Sequence, residues 1–216
     1  MPRRAGACRS CQTLGLMATS AEIQKSFALA EWIAAAIDGL AVSASLRHRS
    51  AGACFSIAQD HHLAITILVE AEIYSSAFAL VRPLFEAYVR GLWLAHCATD
   101  EQLLGFSAGK EPPRMSTLLA AVESTEAFED GQLSNIKGQS WGAMCAYTHT
   151  GSLQVQRWNT ETAIEQNFPP EELAEVLNFS GSFALLSALG MATLANNEDL
   201  ELKVLERSRR HAQNEP

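Results

Sequence analysis

The chain has 216 residues, of which 48% are hydrophobic and 19% are charged, and its formal net charge is −8 at pH 7. This balance indicates a globular protein with a sizeable core and argues against intrinsic disorder. The excess of acidic residues argues against broad electrostatic capture of nucleic acid or of an anionic membrane, although a local basic groove stays compatible with it.

Residues 1–18 differ in composition from the rest of the chain. They are basic and cysteine-containing, and their hydrophobic residues show no helical periodicity. We therefore expect a flexible or non-native N-terminal extension, with Met17 as the natural initiator. The intact mass of the natively expressed protein tests this expectation, because a mass that includes residues 1–16 contradicts it.

The five cysteines are odd in number and scattered, a pattern typical of reduced thiols in the cytoplasm. Cys8 and Cys11 form a CxxC motif, but a structural zinc site needs four ligands and no second close pair follows. We therefore predict no metal and no cofactor.

A single helical domain is predicted over residues 19–211, followed by a disordered tail at 212–216. Thr19 and Glu22 fit a capping box, and the helix that they start is expected to reach about Leu46, before a polar break at 47–50. Further helices are predicted over residues 63–97 (two helices, or one kinked at Pro83), 99–106, 116–128, 132–147, 160–167, 171–195 and 199–211, with a loop at 109–113. The helix at 99–106 is expected to be capped by the segment that begins at Thr99.

No alternating strand pattern is evident along the chain. The predicted fold class is therefore all-α, a helical bundle of about six to eight helices. The uncharged stretch 179–195 is slightly short for a comfortable membrane span and contains several hydroxyl side chains. We interpret it as a buried core helix and expect no membrane association.

Arg82, Glu86 and Arg90 are spaced by four residues in an otherwise apolar segment. On a helix they span about 80° of the circumference, so they form one polar stripe. One interpretation is an i,i+4 ion pair between Arg82 and Glu86 that seals the core or a subunit interface. The other is a polar cleft, because arginine offers a rigid fork for a carboxylate or a phosphate.

A second candidate is the turn Tyr147–Gly151, which contains His149. Histidine can act as a general acid or base near neutral pH, but it is also favoured at helix C-termini by the helix dipole. We predict a site where Arg82 and Glu86 meet Tyr147 and His149. In it, Arg82 binds an anionic group, Glu86 orients that group or His149, and His149 transfers a proton.

Two motifs carry a family resemblance. The segments Arg82–Ala87 (RPLFEA) and Tyr147–His149 (YTH) resemble motifs of a group of uncharacterised bacterial helical proteins that look distantly similar to HEPN domains. Arg90 and His96 also match the R-x4-6-H pattern of HEPN ribonucleases. The resemblance implies a helical homodimer in which arginine and histidine of both subunits cleave RNA at a 2′-hydroxyl, with Arg90 and His96 as the alternative catalytic pair.

Two functional classes follow from these observations. The first is a metal-independent ribonuclease of toxin or phage-defence type, in which histidine is the base and arginine stabilises the phosphorane charge. The second is a non-catalytic dimeric binding or assembly protein whose Arg/Glu stripe is structural. Whether the protein is an enzyme stays open. The expected partners are a second copy of the chain, RNA at a local site and an antitoxin or other protein, all in the cytoplasm.

Overall fold

The structure is a computed structural model that describes the backbone of residues 9–213 and the side chains of residues 20–213. In this part of the chain the regular elements are ten α-helices and one 3₁₀ turn, so the predicted all-α fold class is confirmed. The helices are α1 (Arg9–Ile37), α2 (Leu46–Glu70), α3 (Tyr74–Ala79), α4 (Val81–His96), α5 (Asp100–Ser107), α6 (Met115–Glu123), α7 (Gln132–Thr148), α8 (Ser152–Gln156), α9 (Pro170–Leu194) and α10 (Glu198–Ala212).

Helix α9 lies at the centre of the bundle and packs against α1, α2, α4 and α10. It begins with Pro170 and carries Glu171 and Glu172 in its first turn, where a missing N–H and a negative charge are both favourable. By length and composition α9 could cross a membrane, but more than half of its most apolar window is buried inside the bundle. This burial agrees with the predicted core helix.

The first helix differs from its prediction at both ends. It begins at Arg9 rather than at the predicted cap Thr19, and it ends at Ile37 rather than near Leu46. Gly39, with a φ of 68°, turns the chain after α1, because this left-handed conformation is accessible to glycine without strain. Residues 1–8 of the predicted extension and residues 214–216 of the predicted tail lie outside the described residues.

The predicted polar break at 47–50 is in fact the first turn of α2. The Ser45 side chain accepts a hydrogen bond from the backbone N–H of His48 and caps the helix. Arg47 donates to the carbonyl oxygens of Leu94 and Ala98, both at 2.8 Å, near the end of α4. The polar side chains therefore cap one helix and satisfy the end of another.

The break between the second and fourth helices lies before the predicted kink. Helix α2 ends at Glu70, and a turn through Glu72 (φ 58°) leads into the short helix α3. Leu80 separates α3 from α4, so Pro83 falls in the first turn of α4, where its missing N–H costs no intrahelical bond.

Two later segments, at 99–106 and 160–167, show where the local sequence predicts a helix correctly and where it does not. Thr99 caps α5 through a complete capping box with Gln102, as the predicted cap at Thr99 requires. The predicted helix at 160–167 is wrong. The hydroxyl of Thr160 accepts the Ala163 N–H at 3.1 Å, and an isolated bridge pairs Asn159 with Ile164. The threonine side chain thus competes with helical bonding.

Phe55 fixes how closely α2 approaches α4 and α9. A Cβ at Gly91 would lie 2.5 Å from Phe55 Cε1, and a Cβ at Gly190 would lie 2.6 Å from Phe55 Cε2. Only glycine leaves room for the ring at these two positions. The ring thereby sets the position of α4, which carries the polar stripe.

Candidate functional site

The polar stripe on α4 is an ion triad centred on Glu86. Arg82 Nε donates to Glu86 Oε1 at 2.8 Å, and Arg90 Nη2 donates to Glu86 Oε2 at 2.8 Å. The carboxylate side chain is 16% exposed, against 24% for Arg82 and 31% for Arg90. The predicted i,i+4 ion pair between Arg82 and Glu86 is therefore present, and Arg90 extends it.

Helix α7 presents a matching stripe to Arg82. Trp141, Cys145 and His149 follow one another at intervals of four residues and so share one face of the helix. The Arg82 guanidinium carbon lies 4.7 Å from the centre of the Trp141 ring. Arg82 Nη1 lies 3.7 Å from Cys145 Sγ and 2.7 Å from His149 Nε2. We call these three residues, together with the ion triad, the polar seam.

The protonation of His149 follows from its contact with Arg82. A guanidinium group can only donate hydrogen bonds, so Nε2 of His149 must accept and carries no proton in this arrangement. The imidazole is then neutral, with its proton on Nδ1. His149 is exposed and directly follows the last residue of α7. The same side chain therefore lies at the helix C-terminus and contacts Arg82, so the two interpretations of His149 do not exclude each other.

A tight turn holds His149 in place. Thr150 adopts a φ of 52°, and the N–H of Gly151 donates to the Ala146 carbonyl oxygen at 2.7 Å. A Cβ at Gly151 would lie 3.0 Å from Ala146 Cα, so a larger residue there would press on the end of α7. The turn therefore favours glycine after Thr150.

Tyr147 lies apart from the polar seam. It is rotated by about 200° around α7 from Cys145, and its ring packs 4.7 Å from that of Phe78. Burial raises the pKa of Tyr147, and a hydrogen bond with Arg157 opposes this effect. Arg157 also forms a two-bond ion pair with Glu172. The structure thus brings Arg82, Glu86 and His149 together but places Tyr147 elsewhere.

Tyr147 instead borders a cavity of about 370 Å³. Its walls include Met144 and Phe179, and the Arg157–Glu172 pair lies at its polar side. The pairing of Arg157 with Glu172 was not predicted, because nothing in the local sequence marks it.

Arg90 and His96 do not form a pair within one chain. Six residues separate them by about 240° around α4, and His96 is exposed at the last residue of the helix. Partial burial lowers the pKa of His96. Arg90 instead lies near Cys54, whose pKa burial raises to about 11 while the positive charge of Arg90 opposes the shift.

The described side chains give no arrangement of three or more His, Cys, Asp or Glu residues suited to a metal ion. Cys8 and the side chain of Cys11 lie outside what the structure describes, so the CxxC motif has no structural account.

The seam is locally cationic although the chain is acidic. Lys137 lies one turn before Trp141 on α7, and its Nζ is 5.1 Å from the centre of the same ring. Arg82 and Arg90 therefore flank the carboxylate of Glu86, and Lys137 lies against the Trp141 ring that Arg82 also covers. The four charged side chains carry three positive charges and one negative charge, or +2 in total, within a chain of net charge −8.

The sequence analysis missed Trp141 and Cys145 as members of the site. Their signal was available, because both lie at multiples of four residues before His149. Which face of α7 meets α4 is nevertheless set by tertiary packing.

Comparison with known proteins places this chain in a family. The profile of DUF6988, described as a family of unknown function, matches residues 55–216 and so includes every residue of the polar seam. Searches of curated proteins and of solved structures gave no significant match. The chain belongs to the family of unknown function DUF6988.

Proposed function

We propose that this protein binds a phosphate group of RNA at the polar seam and cleaves the RNA with His149 as the proton-transfer group, as a HEPN-like ribonuclease of toxin or phage-defence type. The observation that supports this proposal is the charge of the seam. Arg82 and Arg90 flank one carboxylate, and Lys137 lies against the Trp141 ring that Arg82 also covers. Guanidinium groups bind phosphate oxygens through two parallel hydrogen bonds, which favours phosphate as the ligand.

The contact between Arg82 and His149 suggests how binding leads to cleavage. A phosphate at the seam competes with His149 for Arg82 Nη1, which now donates to Nε2. Once Arg82 turns to the phosphate, Nε2 is free to take the proton of the RNA 2′-hydroxyl. The 2′-oxygen then attacks the adjacent phosphorus, the P–O5′ bond breaks, and the departing oxygen takes a proton from water.

The arginines have a distinct role in this mechanism. Arg82 and Arg90 offset the negative charge that develops on the phosphorane oxygens. Glu86 holds both side chains in place through its two hydrogen bonds and acts as a positioning residue. The products are a 2′,3′-cyclic phosphate and a 5′-hydroxyl, and no metal ion takes part.

The test uses purified protein and a labelled single-stranded RNA. We expect cleavage that leaves a 2′,3′-cyclic phosphate, and no cleavage of the same sequence as DNA. His149→Ala should slow cleavage by about 100-fold or more while RNA binding is retained. His96→Ala is the matched control and should cleave as the wild type does.

Two results would redirect this proposal. If His96→Ala and Arg90→Ala abolish cleavage while His149→Ala does not, the alternative pair carries the reaction, and a partner subunit has to bring its members together. If the wild type leaves RNA intact under all conditions, the catalytic role is wrong.

A second candidate function is a non-catalytic, dimeric binding or assembly protein. It is favoured because the guanidinium group of Arg82 is already engaged within the chain. Its Nε donates to Glu86, its Nη1 donates to His149, and its plane covers the Trp141 ring. These contacts join α4 to α7 and would account for the seam without chemistry. In this case Arg82→Ala should lose folding and no RNA should be cleaved. Both functions are proposed for a cytoplasmic homodimer, with an antitoxin or another protein as a further partner.

A further inference from the structure

A cavity of about 450 Å³ lies between α1, α2 and α9, away from the polar seam. Its walls combine polar side chains with aliphatic ones, which come from Ile33, Ile37, Leu63 and neighbouring alanines. Asp38 and Asp60 border it and are exposed, and no lysine or arginine lines it. The charge at its border therefore disfavours an anionic ligand.

His62 lines this cavity and is 1% exposed. Its Nδ1 lies 3.0 Å from the Ser180 hydroxyl, and that hydroxyl donates its one proton to the Leu177 carbonyl oxygen at 3.0 Å. Ser180 must therefore accept from Nδ1–H, which leaves Nε2 of His62 as an unprotonated acceptor. Nε2 is buried and has no hydrogen-bond partner.

The neutral form of His62 is consistent with its surroundings. Burial lowers the pKa of His62 to about 4, and the charge of His211 acts in the same direction. The backbone of Ser26 opposes the shift without reaching hydrogen-bond geometry with Nε2. His62 therefore offers an acceptor, and not a charge, to the cavity near neutral pH.

Gln59, one turn earlier on α2, supplies the complementary group. The residue lines the same cavity, and its Nε2 is also buried and has no hydrogen-bond partner. Buried polar atoms are nearly always paired, so an unpaired donor and an unpaired acceptor on two residues that line one cavity point to a missing partner. A hydroxyl group can donate to one of them and accept from the other.

We propose that this cavity binds a small uncharged alcohol, whose hydroxyl donates to His62 Nε2 and accepts from Gln59 Nε2 while its hydrocarbon body packs against Ile33, Ile37 and Leu63. A water molecule could satisfy the polar atoms. However, one water takes up only about 30 Å³, so it would leave the aliphatic part of the walls without a contact. An amphipathic alcohol fits both the polar pair and the walls.

The test compares three probes of similar size in NMR titrations of the full chain. Cyclohexanol can donate and accept, cyclohexyl methyl ether can only accept, and cyclohexanecarboxylate is an anion. We expect cyclohexanol to cause saturable shifts of amide signals in α1 and α2. The ether should bind about tenfold more weakly, because Nε2 of His62 stays unpaired, and the carboxylate more weakly still.

Two variants locate the site. Gln59→Leu removes the donor and should weaken cyclohexanol binding, whereas Gln139→Leu, an exposed glutamine on α7, should leave it unchanged. Ala34→Phe fills the cavity from an exposed position that tolerates a larger side chain, and it should abolish binding even if Gln59→Leu fails to fold. Equal binding of alcohol and ether, unchanged binding in Ala34→Phe, or no shift with any probe would overturn the proposal.

Discussion

Arg82 connects the two halves of the polar seam through the geometry of its guanidinium group. One planar fork donates to Glu86 and to His149 and covers the Trp141 ring. A lysine ammonium has the same charge but cannot make these contacts at once. At the scale of single residues, the shape of the side chain therefore matters as much as its charge.

The first prediction concerns this geometry. Arg82→Lys should lower the free energy of unfolding by about 1–3 kcal/mol, because it removes partly buried hydrogen bonds and leaves Glu86 less well paired. Urea denaturation measures the change. The control Arg209→Lys lies on α10, where the side chain is 73% exposed, and should change stability by less than about 0.5 kcal/mol. If the two variants are equally stable, the planar guanidinium group of Arg82 is not needed for stability.

A second prediction concerns Arg90 and rests on the proposed RNA binding. Arg90→Gln should weaken RNA binding uniformly across sequences and reduce the slope of log K against log salt by about 1, because one phosphate contact is lost. Fluorescence anisotropy at several salt concentrations measures both quantities. Arg209→Gln removes the same charge far from the seam, and an equal effect there would point to net charge as the cause.

The third prediction concerns pH and His62. The pKa of His62 is lowered from 6.5 to about 4 in the folded chain, so between these values the unfolded chain binds more protons. The free energy of unfolding should therefore fall as the pH is lowered from about 6.5 to about 4, by at most about 3 kcal/mol.

Urea denaturation at pH 7, 5 and 4 measures this dependence. His62→Gln removes the titrating group, so its stability should vary less over the same range. His48→Gln is the control, because it removes an imidazole that is less buried than that of His62. If all three proteins show the same dependence on pH, another group is responsible.

At the scale of helices, close approach at glycine decides how α2 packs on α4 and α9. Phe55 occupies the space that a Cβ at Gly91 or Gly190 would need. The pattern of apolar residues predicts that these helices are buried, but it does not identify which glycine faces which ring. The spacing of Arg82, Glu86 and Arg90 could be read directly, since it depends only on helical geometry.

The fourth prediction follows from this packing. Gly91→Ala or Gly190→Ala should destabilise the protein by about 1–3 kcal/mol, because the added methyl group displaces Phe55 in a closely packed core. Gly138→Ala is the matched control, since it is a helical glycine on α7 with no atom within 4 Å of the added Cβ. It should stabilise by up to about 1 kcal/mol through helix propensity. Thermal and urea denaturation of the three variants test this contrast.

At the scale of the whole molecule, the bundle is built around α9. Some apolar side chains of α2 nevertheless lie at the surface. Ile57, Leu63 and Ile67 are exposed and fall within about 120° of one helix face. This face is a candidate surface for the proposed homodimer.

The fifth prediction tests this assembly. Light scattering after size exclusion should give twice the chain mass of 23.4 kDa. Ile67→Asp should shift the protein towards the single-chain mass, whereas Leu104→Asp, an exposed leucine on α5, should not. A single-chain mass for the wild type at all concentrations contradicts the homodimer.

The sequence by itself determined the all-α class, the cap at Thr99 and the stripe of Arg82, Glu86 and Arg90, because these depend on spacing within a few residues. The sequence analysis also predicted that His149 meets Arg82. Only tertiary structure decided that Tyr147 borders a cavity away from the seam, since that position depends on segments far apart in the chain. It also decided that 47–50 belongs to α2, where Arg47 satisfies the carbonyl groups at the end of α4. Local periodicity shows which residues share a face, but only packing selects the opposing face.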